Sequence, residues 1–411
     1  MAELRFDTVI IGGGLVGMAA AVSLAGPTAR SPLKVALIDA RDPASFSTAE
    51  QDGRASAVTV TSRRMLEAIG VWSKVTHHAQ PIRNIEVTDS ALGTRSPAVL
   101  LRFDDKEPDS SAWVIENRFL YQALYDAIIA SPHITVMAGC SVLDVDLQPN
   151  AAKILLADGR QLLTPLTIAA DGRNSPVREL AGIKIVGWPY GQYGLVTTVK
   201  HEMPHRGVAV ERFLPAGPFA ILPLPGNMSS LVWTEGERAA KRLLAADDAD
   251  FLRELKLRFG EQLGRVSLAG PRHGYPLSLQ IARSYVVPRL ALVGDAAHVL
   301  HPIAGLGFNL GLRDVAALSE VVIDSARLGL DIGAIDTLER YQSWRRFDAL
   351  KVAAMTEGLN RLFSNESGVL KTVRDVGLAA VNQAQPVKAF FMKEAAGRQS
   401  DLPRLMSGER L

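Results

Sequence analysis

The first forty residues contain short apolar runs whose period changes from that of a strand to that of a helix. A β-branched run from Phe6 to Ile11 predicts a strand buried on both faces. An alanine-rich stretch from Leu15 to Leu24 predicts a helix, and Lys34 to Ile38 predicts a second strand that Asp39 closes. A membrane span over Thr8 to Ala29 is disfavoured, because five glycines interrupt that run and its period changes midway.

Two later apolar runs have the same strand pattern, and each is followed by an aspartate and glycine turn. Leu162 to Ala170 leads into Asp171-Gly172, and Arg289 to Val293 leads into Gly294-Asp295. After the second turn, Gly305, Gly307 and Asn309 precede an amphipathic helix that extends to about Ala326. The pattern therefore predicts a mostly parallel sheet with helices between its strands.

The chain becomes rich in β-patterns between Ile183 and Ile281. The predicted strands are Gly194 to Lys200, Val208 to Leu214, Phe219 to Leu224 and Ser229 to Thr234, separated by proline and glycine turns. We expect an antiparallel sheet that also takes in a piece around Ile82 to Phe103. Trp233, Phe213 and Phe219 either form the core of that sheet or line an apolar pocket, and for each residue the core is favoured.

The pattern from residue 337 to residue 411 predicts helices, with basic residues spread among apolar positions. Within it, Val387 to Gly397 mixes Phe390, Phe391 and Met392 with lysines. Two interpretations stay open for this segment: an interfacial helix on anionic lipid, or a helix docked onto the first lobe.

Composition narrows the functional classes. The chain has 411 residues and a formal net charge of +2, which gives no overall field for a polyanion, so we expect no nucleic-acid partner. Cys140 is the only cysteine, which excludes an internal disulfide and a CxxC redox pair and fits a reducing, cytoplasmic setting. The N-terminus lacks the basic region of a signal peptide.

The glycines after the first strand have the spacing of a dinucleotide-binding turn. Gly12, Gly14 and Gly17 form GxGxxG: the first permits the tight turn, the second allows a pyrophosphate to approach, and the third allows close packing of the helix. Asp39 follows 22 residues after Gly17, at the end of the second strand, where its carboxylate can accept hydrogen bonds from a ribose. The order predicts dinucleotide binding without distinguishing FAD from NAD.

The second and third turns allow two chemistries. Asp295, at the end of a strand, can accept hydrogen bonds from ribityl or ribose hydroxyls. Asp295, His298 and His301 could instead form a facial triad for a metal. We expect no metal, because the two histidines lie in a turn with Pro302 and no further acidic ligand follows nearby; hydrogen-bonded histidines are the commoner case.

Taken together, the three motifs resemble those of the class A flavoprotein monooxygenases, which have the para-hydroxybenzoate hydroxylase fold. The third motif reads GDAAHxxxPxxGxGxNxGxxD from Gly294 to Asp314. Further stretches resemble the ubiquinone-biosynthesis hydroxylases: Asp52-Gly53-Arg54 with Ser62, Glu116-Asn117-Arg118, Tyr275-Pro276-Leu277, His301 to Gly305, and Leu359 to Phe363. The resemblance covers essentially the whole chain. It departs at Leu306, where that branch commonly has glutamine.

The resemblance implies an α/β fold with a Rossmann-like FAD-binding domain, an antiparallel substrate domain and a helical C-terminal region. The implied FAD-binding domain is discontinuous and comprises residues 1–80, 104–182 and 282–336. The substrate domain comprises residues 81–103 and 183–281, and the helical region comprises residues 337–411.

The resemblance also implies which residues bind FAD. Arg54 and Arg118 would lie near the pyrophosphate and the flavin, although both could equally be solvated or paired with neighbours such as Glu116. Pro302 through Asn309 would face the isoalloxazine ring. The full set of expected cofactor-binding residues is Gly12, Gly14, Leu15, Val16, Gly17, Asp39, Arg41, Arg54, Arg118, Val142, Asp171, Gly294, Asp295, Pro302, Gly305, Leu306, Gly307, Phe308 and Asn309.

The chemistry implied by the resemblance is hydroxylation of a polyprenylated phenol in ubiquinone biosynthesis. NAD(P)H would bind transiently over the surface that holds the flavin and reduce FAD. O2 would then add at C4a of the flavin, and the resulting hydroperoxide would transfer oxygen to the ring of the substrate. We find no Ser-His-Asp or Cys-His arrangement and nominate no catalytic side chain. Two alternatives stay open: a related enzyme for a soluble aromatic acid, and a non-catalytic FAD-binding module. Peripheral contact with the inner membrane and association with other ubiquinone-biosynthesis proteins are further expectations.

Overall fold

The computed structural model describes residues 3–48, 54–89, 92–94, 99–104, 112–363 and 401–411. Asp52 and Gly53, and the segment from Val387 to Gly397, lie outside the described residues. The predictions made for them therefore stay predictions.

The described strands and helices are numbered here in chain order. The strands are β1 (Leu4–Arg5), β2 (Thr8–Ile11), β3 (Val35–Asp39), β4 (Ala55–Thr59), β5 (Gln80–Pro81), β6 (Asn84–Asp89), β7 (Val99–Asp104), β8 (Ala112–Glu116), β9 (Ile134–Ala138), β10 (Val142–Leu147), β11 (Ala152–Leu156), β12 (Gln161–Thr164), β13 (Leu166–Ala169), β14 (Ile185–His201), β15 (Val208–Leu214), β16 (Gly217–Leu224), β17 (Met228–Gly236), β18 (Val266–Leu268), β19 (His273–Ala282), β20 (Val286–Val287), β21 (Leu290–Leu292) and β22 (His298–Val299). The helices are α1 (Leu15–Ala25), α2 (Ser45–Thr48), α3 (Val60–Ala68), α4 (Trp72–Val75), α5 (Asn117–Ile129), α6 (Pro176–Leu180), α7 (Glu237–Ala245), α8 (Asp248–Phe259), α9 (Leu306–Arg327), α10 (Ile335–Phe363) and α11 (Arg404–Ser407).

A central sheet with the order β20-β21-β13-β2-β3-β9 carries the predicted strand, helix, strand unit. From β21 to β9 its neighbouring strands run parallel, so their carboxyl ends share one edge. Helix α1 is buried along almost its whole length and packs against α5 and α9. The predicted α/β class with a Rossmann-like domain is confirmed.

Several strand predictions differ from the structure in their bounds, and two of these differences change which sheet a segment joins. The run from Leu162 to Ala170 forms two strands rather than one, because Pro165 has no N–H to continue a ladder. β12 belongs to a small sheet with the order β1-β12-β11-β10, whereas β13 enters the central sheet. The first predicted strand begins at Thr8 rather than at Phe6, because the Phe6 N–H donates to the Leu163 oxygen of β12 (3.1 Å).

The predicted second sheet has the order β22-β19-β14-β17-β16-β15-β6-β7, with β18 paired to β14. We call it the large sheet. The piece around Ile82 to Phe103 joins it as expected through β6 and β7, although β6 runs parallel to β15. The prediction missed α7 and α8, which cover one face of this sheet. Asp247 caps α8 by accepting a hydrogen bond from Asp250 N (2.8 Å), a signal that the sequence contains.

The described parts of the C-terminal region, residues 337–363 and 401–411, contain α-helices, as predicted. Helix α10 extends to Phe363, and Leu405 and Met406 of α11 are buried in the core around the central sheet. In the part of the chain that the structure describes, no helix has the length and apolarity needed to cross a bilayer. The division into domains by residue number stays a prediction.

Candidate active site

The first glycine turn has the shape that the GxGxxG spacing predicts. Gly12 has a φ of +110°, and a Cβ there would lie 2.3 Å from the carbonyl oxygen of Ala170. A Cβ on Gly17 would lie 1.8 Å from the Gly12 oxygen. A Cβ on Gly14, by contrast, would meet no atom within 4 Å, and Gly14 precedes α1 with no side-chain cap. The amino end of α1 therefore faces open space, where backbone N–H groups can bind a phosphate.

Asp39 joins the end of β3 to this turn. Its Oδ2 accepts a hydrogen bond from Gly13 N (2.6 Å), and its Oδ1 accepts one from Arg41 N (2.8 Å). These bonds hold the carboxylate at the edge of the sheet, where a ribose would reach it. The Arg41 side chain is exposed and lies over the ring of Phe46, at 4.3 Å from the ring centroid.

Asp171 lies directly beside the first turn, because β13 is the neighbour of β2. Val177 N donates to its Oδ2 (3.1 Å), but its Oδ1 is buried and has no hydrogen-bond partner in the described protein. Burial raises the pKa of this carboxyl, against the opposing effects of Ser175 and the Val177 N–H. A buried acceptor without a donor is costly, and a ligand hydroxyl at this position would satisfy it.

The third turn follows β21, the next strand of the central sheet. Gly294 has a φ of +59°, and its N–H donates to Asp314 Oδ2 (3.0 Å). The adjacent Asp295 carboxylate is accessible and accepts no hydrogen bond from the described residues. The surrounding protein displaces part of the water around Asp295, and this desolvation raises the pKa of its carboxyl. The charges of His298 and Arg173 act to lower that pKa. The three predicted turns thus meet at one edge of the sheet, with two carboxylates free to accept donors.

The segment from Pro302 to Asn309 is only partly as predicted. Gly305 has a φ of +62°, and its N–H bonds to the Pro302 oxygen (3.0 Å). Gly307 is exposed in open space, and Phe308 is partly buried against the core. Gly307 and Asn309 lie inside the first turns of α9 and do not precede it. The side chain of Leu306 is outside what the structure describes.

The side-chain amide of Asn309 binds the backbone of β4, and the expectation that this residue faces the flavin ring stays a prediction. Asn309 is buried, its Oδ1 accepts from Thr59 N (3.0 Å), and its Nδ2 donates to the Ala57 oxygen (2.7 Å). These bonds fasten α9 to β4. The amide is therefore occupied by backbone and is not available to a flavin ring.

The two predicted arginines lie on neighbouring segments. Asn117 N donates to the Arg54 oxygen (3.1 Å), and the charge of Arg54 acts on Tyr275. Arg118 Nη2 donates to Glu116 Oε2 (3.2 Å). This is the pairing with a neighbour that the sequence allows as the alternative to a place near the flavin. Val142 begins β10 and is partly buried against the core, and its expected place in the cofactor site stays a prediction.

A buried ionic network supports the third turn, and the sequence analysis missed it. Asp314 is fully buried; its Oδ2 lies 2.6 Å from His298 Nε2, and its Oδ1 accepts from Arg345 Nε (2.9 Å). Arg345 also bonds to Asp348, which in turn pairs with Arg313. Burial alone would raise the pKa of Asp314, but His298 and Arg345 together lower it. Pairing between residues 31 positions apart leaves no local signal in a sequence.

The histidines of this region do not form a metal site. His298 is bound to Asp314, and no group of metal ligands occurs within the described ranges. His301 is buried, both of its ring nitrogens are unpartnered, and its ring packs edge-on to Tyr190 with centroids 5.2 Å apart. Burial lowers the pKa of His301 to about 4, so its ring is neutral.

Two of the three aromatic residues, Trp233 and Phe219, belong to the core of the sheet, which is the interpretation that the sequence favours. Trp233 and Phe219 pack with Phe251 and Phe259 of α8, and the Trp233 Nε1 donates to Glu235 (3.0 Å). We call this α8-covered side the outer face of the large sheet. Phe213 is buried on the opposite, inner face, which follows from the alternation along β15.

Comparison with known proteins agrees with this geometry. Residues 5–347 match the family described as FAD binding domain. The chain is 44% identical over 405 residues to ubiquinone hydroxylase UbiL of Rhodospirillum rubrum, covering 98% of this chain and 92% of the relative. It is 33% identical over 395 residues to 3-demethoxyubiquinol 3-hydroxylase of Escherichia coli, covering 95% of this chain and 98% of the relative. The p-nitrophenol 4-monooxygenase PnpA of Pseudomonas putida shares the fold, with a TM-score of 0.78 and 17% sequence identity. The match covers 97% of this chain and 100% of the PnpA chain.

Proposed function

The chain belongs to the FAD-binding family of class A flavin monooxygenases, and from this premise we propose that it hydroxylates the ring of a polyprenylated phenol in ubiquinone biosynthesis. The reaction consumes one O2 and one NAD(P)H with a proton. One oxygen atom enters the ring, the other leaves as water, and the nicotinamide is oxidised to NAD(P)+. FAD, when bound, supplies the reduction by NAD(P)H and the activation of O2.

The convergence of the three turns is the observation that carries this proposal. Gly14 leaves room for a pyrophosphate at the amino end of α1, and the free acceptors of Asp171 and Asp295 match the hydroxyls of a ribityl chain. Asp39 is held where it can bind the ribose of the adenosine half. These donors and acceptors fit FAD and require no metal.

The residues of the chain bind, orient and exclude water rather than form covalent bonds to the substrate. We propose that Gly305 and Gly307 bring the backbone of the segment before and within α9 close to the flavin ring. The network around Asp314 keeps Gly294 and Asp295 in place from behind. Water must be excluded from the reacting face, since otherwise reduced flavin and O2 release hydrogen peroxide without product.

An apolar tail on the substrate would add binding energy and bring the enzyme to a membrane surface. Each buried CH2 contributes about 0.8 kcal/mol, so a few isoprene units suffice as an anchor. We therefore propose peripheral contact with the inner membrane, and association with other proteins of ubiquinone biosynthesis, as partners of this enzyme. Sedimentation of the protein with vesicles of anionic lipid, compared with vesicles of zwitterionic lipid, measures the first of these.

The function is tested by an anaerobic titration of the FAD-loaded protein with NADH or NADPH, with and without a short-chain prenylphenol. Under labelled O2 we expect one labelled oxygen atom in the prenylphenol. If a hydroxybenzoate is hydroxylated and the prenylphenol is not, the soluble-acid alternative replaces this proposal. If no pyridine nucleotide reduces the bound FAD, the non-catalytic alternative does.

A further inference from the structure

The inner face of the large sheet is apolar around one acidic residue, Glu211. Residues paired across neighbouring strands share a face, so the strand register places Glu211 of β15 between Val87 of β6 and Ala220 of β16. The same row continues through other strands, and its members from β7 to β14 are Leu101, Val87, Glu211, Ala220, Val232 and Val196. Glu211 is the one polar residue among these six, and past Val196 the row continues to the exposed His273 of β19.

The inner face is turned toward the segment proposed to face the flavin. Ala209, two residues before Glu211 and therefore on the same face, packs in one apolar cluster with Leu222 and Ala55 of β4. Two residues further along β4, Ala57 lies against Gly305, where a Cβ would be 3.3 Å from the Ala57 Cβ. β4 therefore connects the surroundings of Glu211 to the flavin-facing segment.

A second line of contacts connects the same face to the cofactor-binding edge. The neighbouring row begins with Phe213 and runs across the sheet to Gly194 and Tyr275. Tyr275 feels the charges of Arg54 and Asp295, so it lies close to the third turn. Glu211 is thus on a surface that meets the proposed FAD site from two sides.

The carboxyl of Glu211 has no partner in the part of the chain that the structure describes. Among the described residues, none forms a hydrogen bond or an ion pair with it, and burial alone raises its pKa to about 8. The residue as a whole is nevertheless partly accessible, so it is not sealed inside the sheet's core. An unpaired acid in an apolar wall costs stability, and natural proteins keep such groups where a ligand satisfies them.

We propose that Glu211 binds the ring hydroxyl of the phenolic substrate. A protonated carboxyl can donate to a phenol oxygen and accept from its O–H, so one residue orients the ring from the side of the large sheet. The apolar residues of the row fit the ring and the first part of a prenyl chain, and the row offers no lysine or arginine for the carboxylate of an aromatic acid. This inference rests on the proposed function and names the residue that recognises the hydroxyl.

The test pairs a change in the protein with a change in the ligand. Geranylphenol and its methyl ether are titrated into the FAD-loaded wild type, Glu211→Gln and Glu211→Leu, with binding followed by the change in flavin absorbance. We expect the wild type to prefer the phenol by about ten-fold, the worth of one such hydrogen bond. Glu211→Leu should lose the preference, and Glu211→Gln should keep part of it.

Stability supplies a readout that separates binding from a structural role. Because Glu211 is unpaired, Glu211→Leu should melt at a higher temperature than the wild type while discriminating less. A matched control is Glu86→Leu on β6, whose side chain lies on the outer face and pairs with Arg102 (3.4 Å); this variant should discriminate as the wild type does.

The outcomes distinguish the two proposals. If the wild type hydroxylates geranylphenol and Glu211→Leu retains the full preference for the phenol over its ether, the assignment of Glu211 is wrong and the proposed function stands. A Glu211→Leu variant that melts lower and binds FAD poorly would also overturn the assignment, because it would reveal a structural role. If the FAD-loaded wild type hydroxylates no prenylphenol, the proposed function itself fails.

Discussion

The side chain of Val16 fills the space beside Gly311: a Cβ at position 311 would lie 2.6 Å from Val16 Cγ2. Val16 belongs to the first glycine turn and Gly311 to α9, so this contact fixes the distance between the first and third motifs. Gly294 lies in the same contact, since a Cβ there would be 3.2 Å from Val16 Cγ1. The two turns that face the dinucleotide are thus packed directly on each other.

Gly311→Ala should destabilise the protein and weaken FAD binding. Alanine ordinarily stabilises a helix relative to glycine by about 1 kcal/mol, but here its methyl group would overpack against Val16 at a cost of about 1–3 kcal/mol. Thermal unfolding and FAD retention measure the effect, and the added substitution Val16→Ala should restore part of it. Gly358→Ala in α10, where a Cβ meets no atom within 4 Å, is the control and should stabilise. Equal behaviour of the two alanine variants would contradict this account.

Asp295→Ala should lower the affinity for FAD by about 10- to 100-fold, the worth of hydrogen bonds to a charged acceptor. Because the carboxylate accepts no hydrogen bond from the described residues, the melting temperature of the FAD-free protein should hardly change. Fluorescence titration with FAD measures the first quantity and calorimetry of the FAD-free protein the second. Full FAD occupancy in this variant would remove Asp295 from the site.

Asp314→Asn should destabilise the protein by about 3–5 kcal/mol, because it removes one of the two carboxylates paired with buried Arg345 and weakens the pairing with buried His298. Asp324→Asn, on the same helix, breaks a partly exposed pair with Arg404 and should cost less than about 1 kcal/mol. Chemical denaturation of both variants gives the comparison. A small effect at Asp314 would show that the network is not needed to hold the third turn.

Glu211 should make stability depend on pH between about 4.5, its ordinary pKa, and about 8, its pKa in the folded protein. Within that window the folded state binds more protons than the unfolded state, so the free energy of unfolding falls as pH rises, by at most about 1.4 kcal/mol per pH unit. No Asp, Glu, Lys or Arg shares its row, which continues to exposed His273 on β19, and Asp89 of β6 is the nearest ionisable residue in the next row. The melting temperature of Glu211→Gln should exceed that of the wild type increasingly from pH 5 to pH 8; a constant difference would contradict the shift.

Local signals explain what the sequence could predict. The turn from Gly12 to Gly17 and the strand ending at Asp39 lie within about one residue of their predicted positions. Glycine spacing and β-branched runs act over only a few residues, so the sequence contains the whole signal. The break at Pro165 and the cap at Asp247 were present in the sequence but were outweighed by the surrounding apolar pattern. The break at Pro165 shows that a single residue can redirect a strand into another sheet.

Long-range relations explain what the sequence could not predict. The pairing of Asp314 with Arg345 and the capture of the Asn309 amide by β4 depend on how distant segments pack. The importance of Glu211 emerges only from the register of five neighbouring strands, since in the sequence it is one acid beside Arg212. Its surroundings become apolar only when the sheet is assembled.

We propose that three separate turns together hold one FAD. The visible absorbance spectrum of the purified chain shows whether the flavin is bound. The protein is incubated with excess FAD, separated from free ligand by gel filtration, and measured. The account predicts the spectrum of bound oxidised flavin with about one FAD per chain. A correctly folded chain that emerges colourless would contradict it.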